Sequence, residues 1–188
     1  QNAAEAILTT DLTCKKIAIE TNKNRAVELL LMGNANQNIK QYNPFCHSAL
    51  QLATETGNIK AINSLLLAKA NIYTKSERDG YFPIHRAIIH GHLDAYQLLL
   101  MYMTDENIKD QNIDISNNFL LQLAILSNQL QEIEYFLNMG ADINACDKNG
   151  NTNLHLASMN DEETFKYIFK LFPYVNAVNQ NQDTPLHI

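Results

Sequence analysis

The chain has 188 residues, 46% of them hydrophobic, and carries 14 Lys and Arg against 20 Asp and Glu, for a net charge of −6 and a pI near 5.4. That balance, with no basic stripe, argues against a nucleic-acid partner held through its phosphates, which needs clustered Lys and Arg. The longest apolar run, Leu98 to Met103, is far short of the roughly 18 residues needed to cross a bilayer, so no membrane insertion is expected.

Three cysteines, Cys14, Cys46 and Cys146, match no zinc or disulfide spacing and point to a reducing, cytoplasmic setting. Twenty-four asparagines reflect the drift of an AT-rich coding sequence rather than a chemical role. The first residues, Gln1 to Glu5, have neither the basic head nor the apolar core of a secretion signal. The chain starts without methionine and ends inside a Thr-Pro-Leu-His run. It is therefore expected to continue beyond Ile188.

Residues 3–8 predict a short leading helix. A first unit, about 8–42, follows with an inner helix over 11–22, an outer helix over 25–32, and Asn34 at the helix end, where Asn tolerates the left-handed region. The second unit, about 43–76, opens on Ser48-Ala49-Leu50-Gln51 and has its outer helix over 60–67. Lys69 stands there at the position that wants glycine, which puts the helix-end geometry in doubt. The third, about 77–113, has Phe82-Pro83-Ile84-His85 as its cap, then Gly91-His92 and an outer helix over 94–100.

The stretch 104–118 reads as the longest irregular segment, an extended hairpin and the weakest seam of the array. The fourth unit, about 114–146, buries Leu121, Leu123, Ala124, Ile133, Phe136 and Leu137, with Leu120 where proline belongs. The fifth, about 147–178, places Asp161, Glu162 and Glu163 at a helix start, where the helix dipole favours acids. Phe172-Pro173 then stops that helix. A partial sixth unit spans 179–188.

The units share a register. Thr152-Asn153-Leu154-His155 returns 32 residues later as Thr184-Pro185-Leu186-His187, and the small residue that ends each copy falls at Ala18, Ala53, Ala87, Ala124 and Ala157, in steps of 35, 34, 37 and 33. A period near 33 belongs to two-helix solenoid units, none of which can bury its apolar face alone. Asp147, Gly150, Thr152, Leu154, His155 and Ala157, preceded in phase by the Gly140-Ala141-Asp142-Ile143-Asn144 helix exit, resemble the ankyrin repeat. Gly80, Pro83, His85, Ala87, Gly91 and His92 fit the same pattern.

The resemblance covers nearly the whole chain. It implies an all-α ankyrin-repeat solenoid of helix-turn-helix units with short β-hairpin-like turns over residues 1–188. It also implies a protein-protein interaction module that grips its partner with its concave face and turn tips. Carried over by position, the tips are Pro44, Phe45 and His47; Arg78, Asp79 and Tyr81; Ile115, Ser116 and Asn118; and Lys148, Asn149 and Asn151. The exposed inner-helix positions are Glu55, Thr56, Ile89, His90, Leu126, Ser127, Met159 and Asn160.

Phe45, Tyr81, Ile89, His90, Leu126 and Met159 form an apolar and aromatic set suited to a binding patch, with His90 expected near Tyr81. His85, His155 and His187 are expected to tie adjacent turns together, and His92 is likewise structural. No phosphate loop, nucleophile elbow or His-Glu-x-x-His motif occurs, so no enzyme activity, cofactor, metal or small-molecule ligand is expected. The alternative reading makes the chain the targeting segment of a larger multidomain enzyme or of a translocated bacterial effector, which would act in the host cytoplasm.

Overall fold

Inner helices begin where a side chain can satisfy the first free N–H groups of the helix. In the computed structural model, which describes residues 19, 48–76, 79–103, 113–171 and 174–188, Ser48 and Gln51 do this together. Ser48 Oγ accepts from the Gln51 amide at 3.3 Å, and Gln51 Oε1 accepts from the Ser48 amide at 2.8 Å. The expected leading helix and first unit lie outside the described residues, apart from Ile19, which is buried. So do Pro44, Phe45, His47, Arg78, residues 104–112, and the helix stop at Phe172 and Pro173.

Eight helices are described, and the chain divides into two compact units, Gln1–Ile113 and Asp114–Ile188. The first holds α1 (Ala49–Glu55), α2 (Ile59–Leu67), α3 (Pro83–Ile89) and α4 (Leu93–Tyr102). The second holds α5 (Asn117–Leu126), α6 (Leu130–Asn138), α7 (Asn153–Ser158) and α8 (Glu162–Lys170). Each successive pair is a helix-turn-helix repeat, and inner helix packs on inner helix: α1 on α3, and α5 on α7. The recurring alanines, Ala53, Ala87, Ala124 and Ala157, are fully buried at these contacts, where a side chain larger than methyl would force the helices apart. Among the described residues the sole β feature is one antiparallel bridge, Cys146 to Thr152.

The core of the first unit is built from Leu50, Ile62, Leu65, Ile84, Ile88 and Leu99, and that of the second from Leu120, Leu121, Ile125, Ile133 and Phe136. At Gly57 (φ +64°) a Cβ would sit 2.7 Å from the His92 ring, so glycine there is required by both backbone and neighbour. The space it leaves lets the His92 Nε2 group reach the Glu55 carbonyl at 3.0 Å, across two repeats.

Two local expectations change. Lys69 adopts φ 63°, so the left-handed helix exit survives without glycine, and the Ala70 amide donates to the Leu65 carbonyl at 2.9 Å. The fourth inner helix starts a turn earlier than the Leu120 alignment suggests. Ser116 caps it, with Oγ accepting from the Phe119 amide at 3.4 Å, and Asp114 holds the Ser116 amide at 2.9 Å. Asn117 and Asn118 are thereby helical, and the irregular stretch ends at Ser116.

Candidate interaction surface

The hairpin tips are built by carboxylate and amide side chains that fold back on their own loops. In the fifth repeat Asp147 Oδ1 accepts from the Asn149 and Asn151 amides at 2.8 and 2.9 Å, and Oδ2 accepts from the Asn151 side chain at 3.0 Å. In the sixth, Asn179 Oδ1 accepts from the Asn181 and Asp183 amides at 2.9 and 3.0 Å. Gly150 provides the reversal at φ +76°, where a Cβ would crowd the Gln180 amide at 3.2 Å; Gln182 makes the equivalent reversal at φ 66°. The two tips are joined: the Gln180 amide donates to the Asn149 carbonyl at 3.1 Å, and Asn179 Nδ2 donates to Asn151 Oδ1 at 2.9 Å.

His155 is fully buried and both ring nitrogens are used. Nδ1 accepts from the Thr152 amide at 3.1 Å, and Nε2 donates to the Asp183 carbonyl at 2.9 Å, tying the fifth repeat to the sixth. Gln51 performs the same two jobs in the second repeat. Its Oε1 closes the cap, and its Nε2 donates to the Thr74 and Tyr81 carbonyls at 3.1 and 3.4 Å. The amide and the imidazole are interchangeable here because each presents an acceptor and a donor on opposite sides of a flat group.

At the tip of the third repeat the tie is ionic. Arg86, 8% exposed, pairs with Asp79 and reaches Glu55 at 3.3 Å. Burial pushes the Asp79 carboxyl upward, but the Tyr81 amide, the Ser76 hydroxyl and the Arg86 guanidinium together hold it below its usual value. The Tyr81 ring is half-buried, edge-on to His85 with centroids 5.8 Å apart.

The predicted surface residues separate accordingly. Asp79 is exposed but tied to Arg86. Ile89 is half-buried, and His90 is exposed at the C-cap of α3, the opposite end of that helix from Tyr81. The expected neighbours are thus roughly 10 Å apart along the helix axis. Ser116 is exposed and caps α5; Asn118, in the first turn of α5 rather than at a tip, accepts from the Asp142 amide at 2.7 Å. Lys148 and Asn149 are exposed at the fifth tip, whereas Asn151 is 8% exposed, with its side chain committed to Asp147 and Asn179.

Asn160 Nδ2 donates to the Ile125 carbonyl at 2.7 Å, which pins the end of α7 to the end of α5, and the residues next to these two, Met159 and Leu126, are 51% and 47% exposed. Sequence reasoning passed over Arg86, whose role depends on two acids distant in the chain. It also passed over the exposed Leu67, Met101 and Tyr102 of the first unit. Among the described residues no group of three or more His, Cys, Asp or Glu converges on a point that could hold a metal ion, and no helix is long and apolar enough to cross a membrane.

The charge is divided unevenly. Gln1–Ile113 has eleven Lys and Arg against eleven Asp and Glu, whereas Asp114–Ile188 has three against nine, so the whole net charge of −6 lies in the second unit.

A family model of ankyrin repeats, in three copies, matches residues 16–112 and 121–188. The chain is 34% identical over 119 residues to the ankyrin repeat protein FPV024 of fowlpox virus, covering 62% of this chain and 18% of that protein. It is 33% identical over 131 residues to the nuclear factor NF-kappa-B p105 subunit of Rattus norvegicus (63% and 13%). It is 32% identical over 120 residues to the ankyrin repeat and SOCS box protein 6 of Mus musculus (61% and 28%). The chain spans less than a fifth of the length of the first curated relatives it matches. Matching family model, helix-turn-helix repeats and shared hairpin chemistry together place the chain in the ankyrin-repeat family.

Proposed function

We propose that this chain is a protein-protein interaction module that holds its partner at the hairpin tips and at the exposed ends of its inner helices. Ankyrin repeats are general modules of this kind. The observation that carries the reading is the exposure of Leu126 and Met159 at the ends of α5 and α7, which the Asn160–Ile125 hydrogen bond ties to one another. Two large apolar side chains are held half-exposed by a hydrogen-bonded scaffold, while the alanines and leucines next to them in the same helices are fully buried. His90, Lys148, Asn149, Ser116 and Tyr81 extend the proposed contact set within their respective units, and Asn151 contributes by shaping the tip rather than by touching a partner. The module works by shape, without catalysis, on a backbone that moves little on binding. A cytoplasmic location is part of the same proposal.

The test is affinity capture from a lysate with the native chain, a Leu126→Ser/Met159→Ser variant and a Tyr81→Ala/His90→Ala variant. Loss of the captured partner from the first variant, with helicity and melting unchanged, supports the reading; identical capture by all three removes these residues from the contact. A second reading, a targeting segment within a longer protein, draws on the small share of each first relative that the chain covers. Activity measurements on the longer protein with and without this segment test it.

A further inference from the structure

Beyond the apolar pair, the surface of the second unit changes character within a few residues. Asn160, whose side chain pins the two helix ends, is followed directly by Asp161, Glu162 and Glu163 at the start of α8, all exposed. Asp161, Glu162 and Glu163 line a surface depression with Leu130 and Tyr167, which Lys166 and Lys170 also border. Lys166 pairs with Glu162, which leaves Glu163 without an ion-pair partner among the described residues.

Burial, and after it the nearby Glu134 carboxylate, hold the Tyr167 hydroxyl above its ordinary value. Lys166 and Lys170 are the cations of this edge, and the unit as a whole has three cations against nine acids.

Resting on the interaction reading above, we infer that this surface takes a cationic, apolar-bearing protein segment. A leucine-like side chain seats on Leu126 and Met159, and flanking Lys or Arg residues reach Asp161 and Glu163. Charge complementarity selects this occupant. An acidic or phosphorylated segment would meet like charge at the edge of the apolar seat, and such juxtaposition costs affinity more than a neutral rim does. The flexible thioether of Met159 lets the seat adapt to more than one apolar side chain. Steering by a field of one sign makes association fast and salt-sensitive.

The probes are two labelled synthetic helix-forming peptides sharing one leucine stripe, with lysine at every polar position in one and glutamate in the other. Binding to the full chain is followed by fluorescence anisotropy. The lysine peptide is expected to bind and the glutamate peptide not to, with affinity falling roughly tenfold between about 50 and 300 mM salt. Asp161→Asn/Glu163→Gln and Leu126→Ser/Met159→Ser are each expected to weaken binding several-fold. Asp94→Asn, which removes an exposed charge from the first unit, leaves it unchanged.

Equal losses from Asp94→Asn, or none from Leu126→Ser/Met159→Ser, would mean bulk charge attraction and overturn the inference, as would failure of the lysine peptide to bind. Binding of the glutamate peptide that is lost in Leu126→Ser/Met159→Ser would overturn the cationic assignment while leaving the apolar contact of the proposed function standing. The lysate capture decides that broader reading separately.

Discussion

The two units solve one structural problem with different chemistry. Each must fasten a hairpin tip to its neighbouring repeat. The first adds charge to its neutral Gln51 tie: Arg86 draws Asp79 of the tip and Glu55 of the preceding inner helix together, and its overall charge is balanced. The second fastens its tips with neutral groups, through Asn179 on Asn151, Gln180 on Asn149, and His155 on Asp183, leaving most of its acids at the surface. A partly buried ion pair consumes the charges it uses, whereas an amide ladder leaves the surface free to carry a field. The acidity of the second unit is therefore compatible with its stability because its ties do not depend on charge.

The sharpest way to break the comparison is at the shared tie. His155→Ala removes two hydrogen bonds and leaves a buried gap, and should cost the second unit about 3 kcal/mol in urea unfolding. Gln51→His, which supplies the same acceptor and donor in the first unit, should change stability by less than about 1 kcal/mol. Next comes the strap. Arg86→Met leaves Glu55 and Asp79 without their cation and should cost about 2 kcal/mol, less than a fully buried pair because Asp79 is in part solvated.

The same strap predicts a pH dependence. Against the upward push of burial, the hydrogen bonds from Tyr81 and Ser76 and the Arg86 guanidinium hold the folded Asp79 carboxyl below the ordinary value for an aspartate. The stability it contributes is thus complete above that value and lost as pH falls through the lower folded one. Between pH 6 and 3 the wild type should lose more stability than Asp79→Asn, and amide exchange should place the extra loss in the first unit.

Smaller effects refine the picture. Lys69→Gly relieves an L-residue held at φ 63° and should stabilise the first unit by about 1 kcal/mol, seen as a raised urea midpoint. Gly150→Ala should destabilise the second by a similar amount, since φ +76° and the nearby Gln180 amide both oppose a methyl group. Met159→Ser, at an exposed site, should move stability by less than about 0.5 kcal/mol while weakening partner capture.

Much of this was legible from residues alone where geometry permits few residue types. Glycine at the reversals, alanine at the helix-helix contacts and the Thr-x-x-His cap recur because each position admits little else, so their period exposed the repeat. Gln51 shows the opposite case. Its likeness to His155 is one of hydrogen-bond roles, visible only once its side chain is seen to reach Thr74 and Tyr81. Tyr81 and His90 appeared to be neighbours because both are predicted to face out, but they stand at the two ends of one helix. Ser116 was hidden as a cap because the alignment on Leu120 pointed a turn too late.

Residue pattern and counting were enough for the repeat, its family, its all-α character and the charge of each stretch, because these follow from local backbone demands and composition. Tertiary contacts alone fixed which side chains meet across repeats and which tips gain an ionic tie beside their amide ones. Those properties depend on residues 28 to 37 positions apart meeting across repeats, as His155 meets Asp183 and His92 meets Glu55. A pattern that specifies each repeat separately does not specify such pairs.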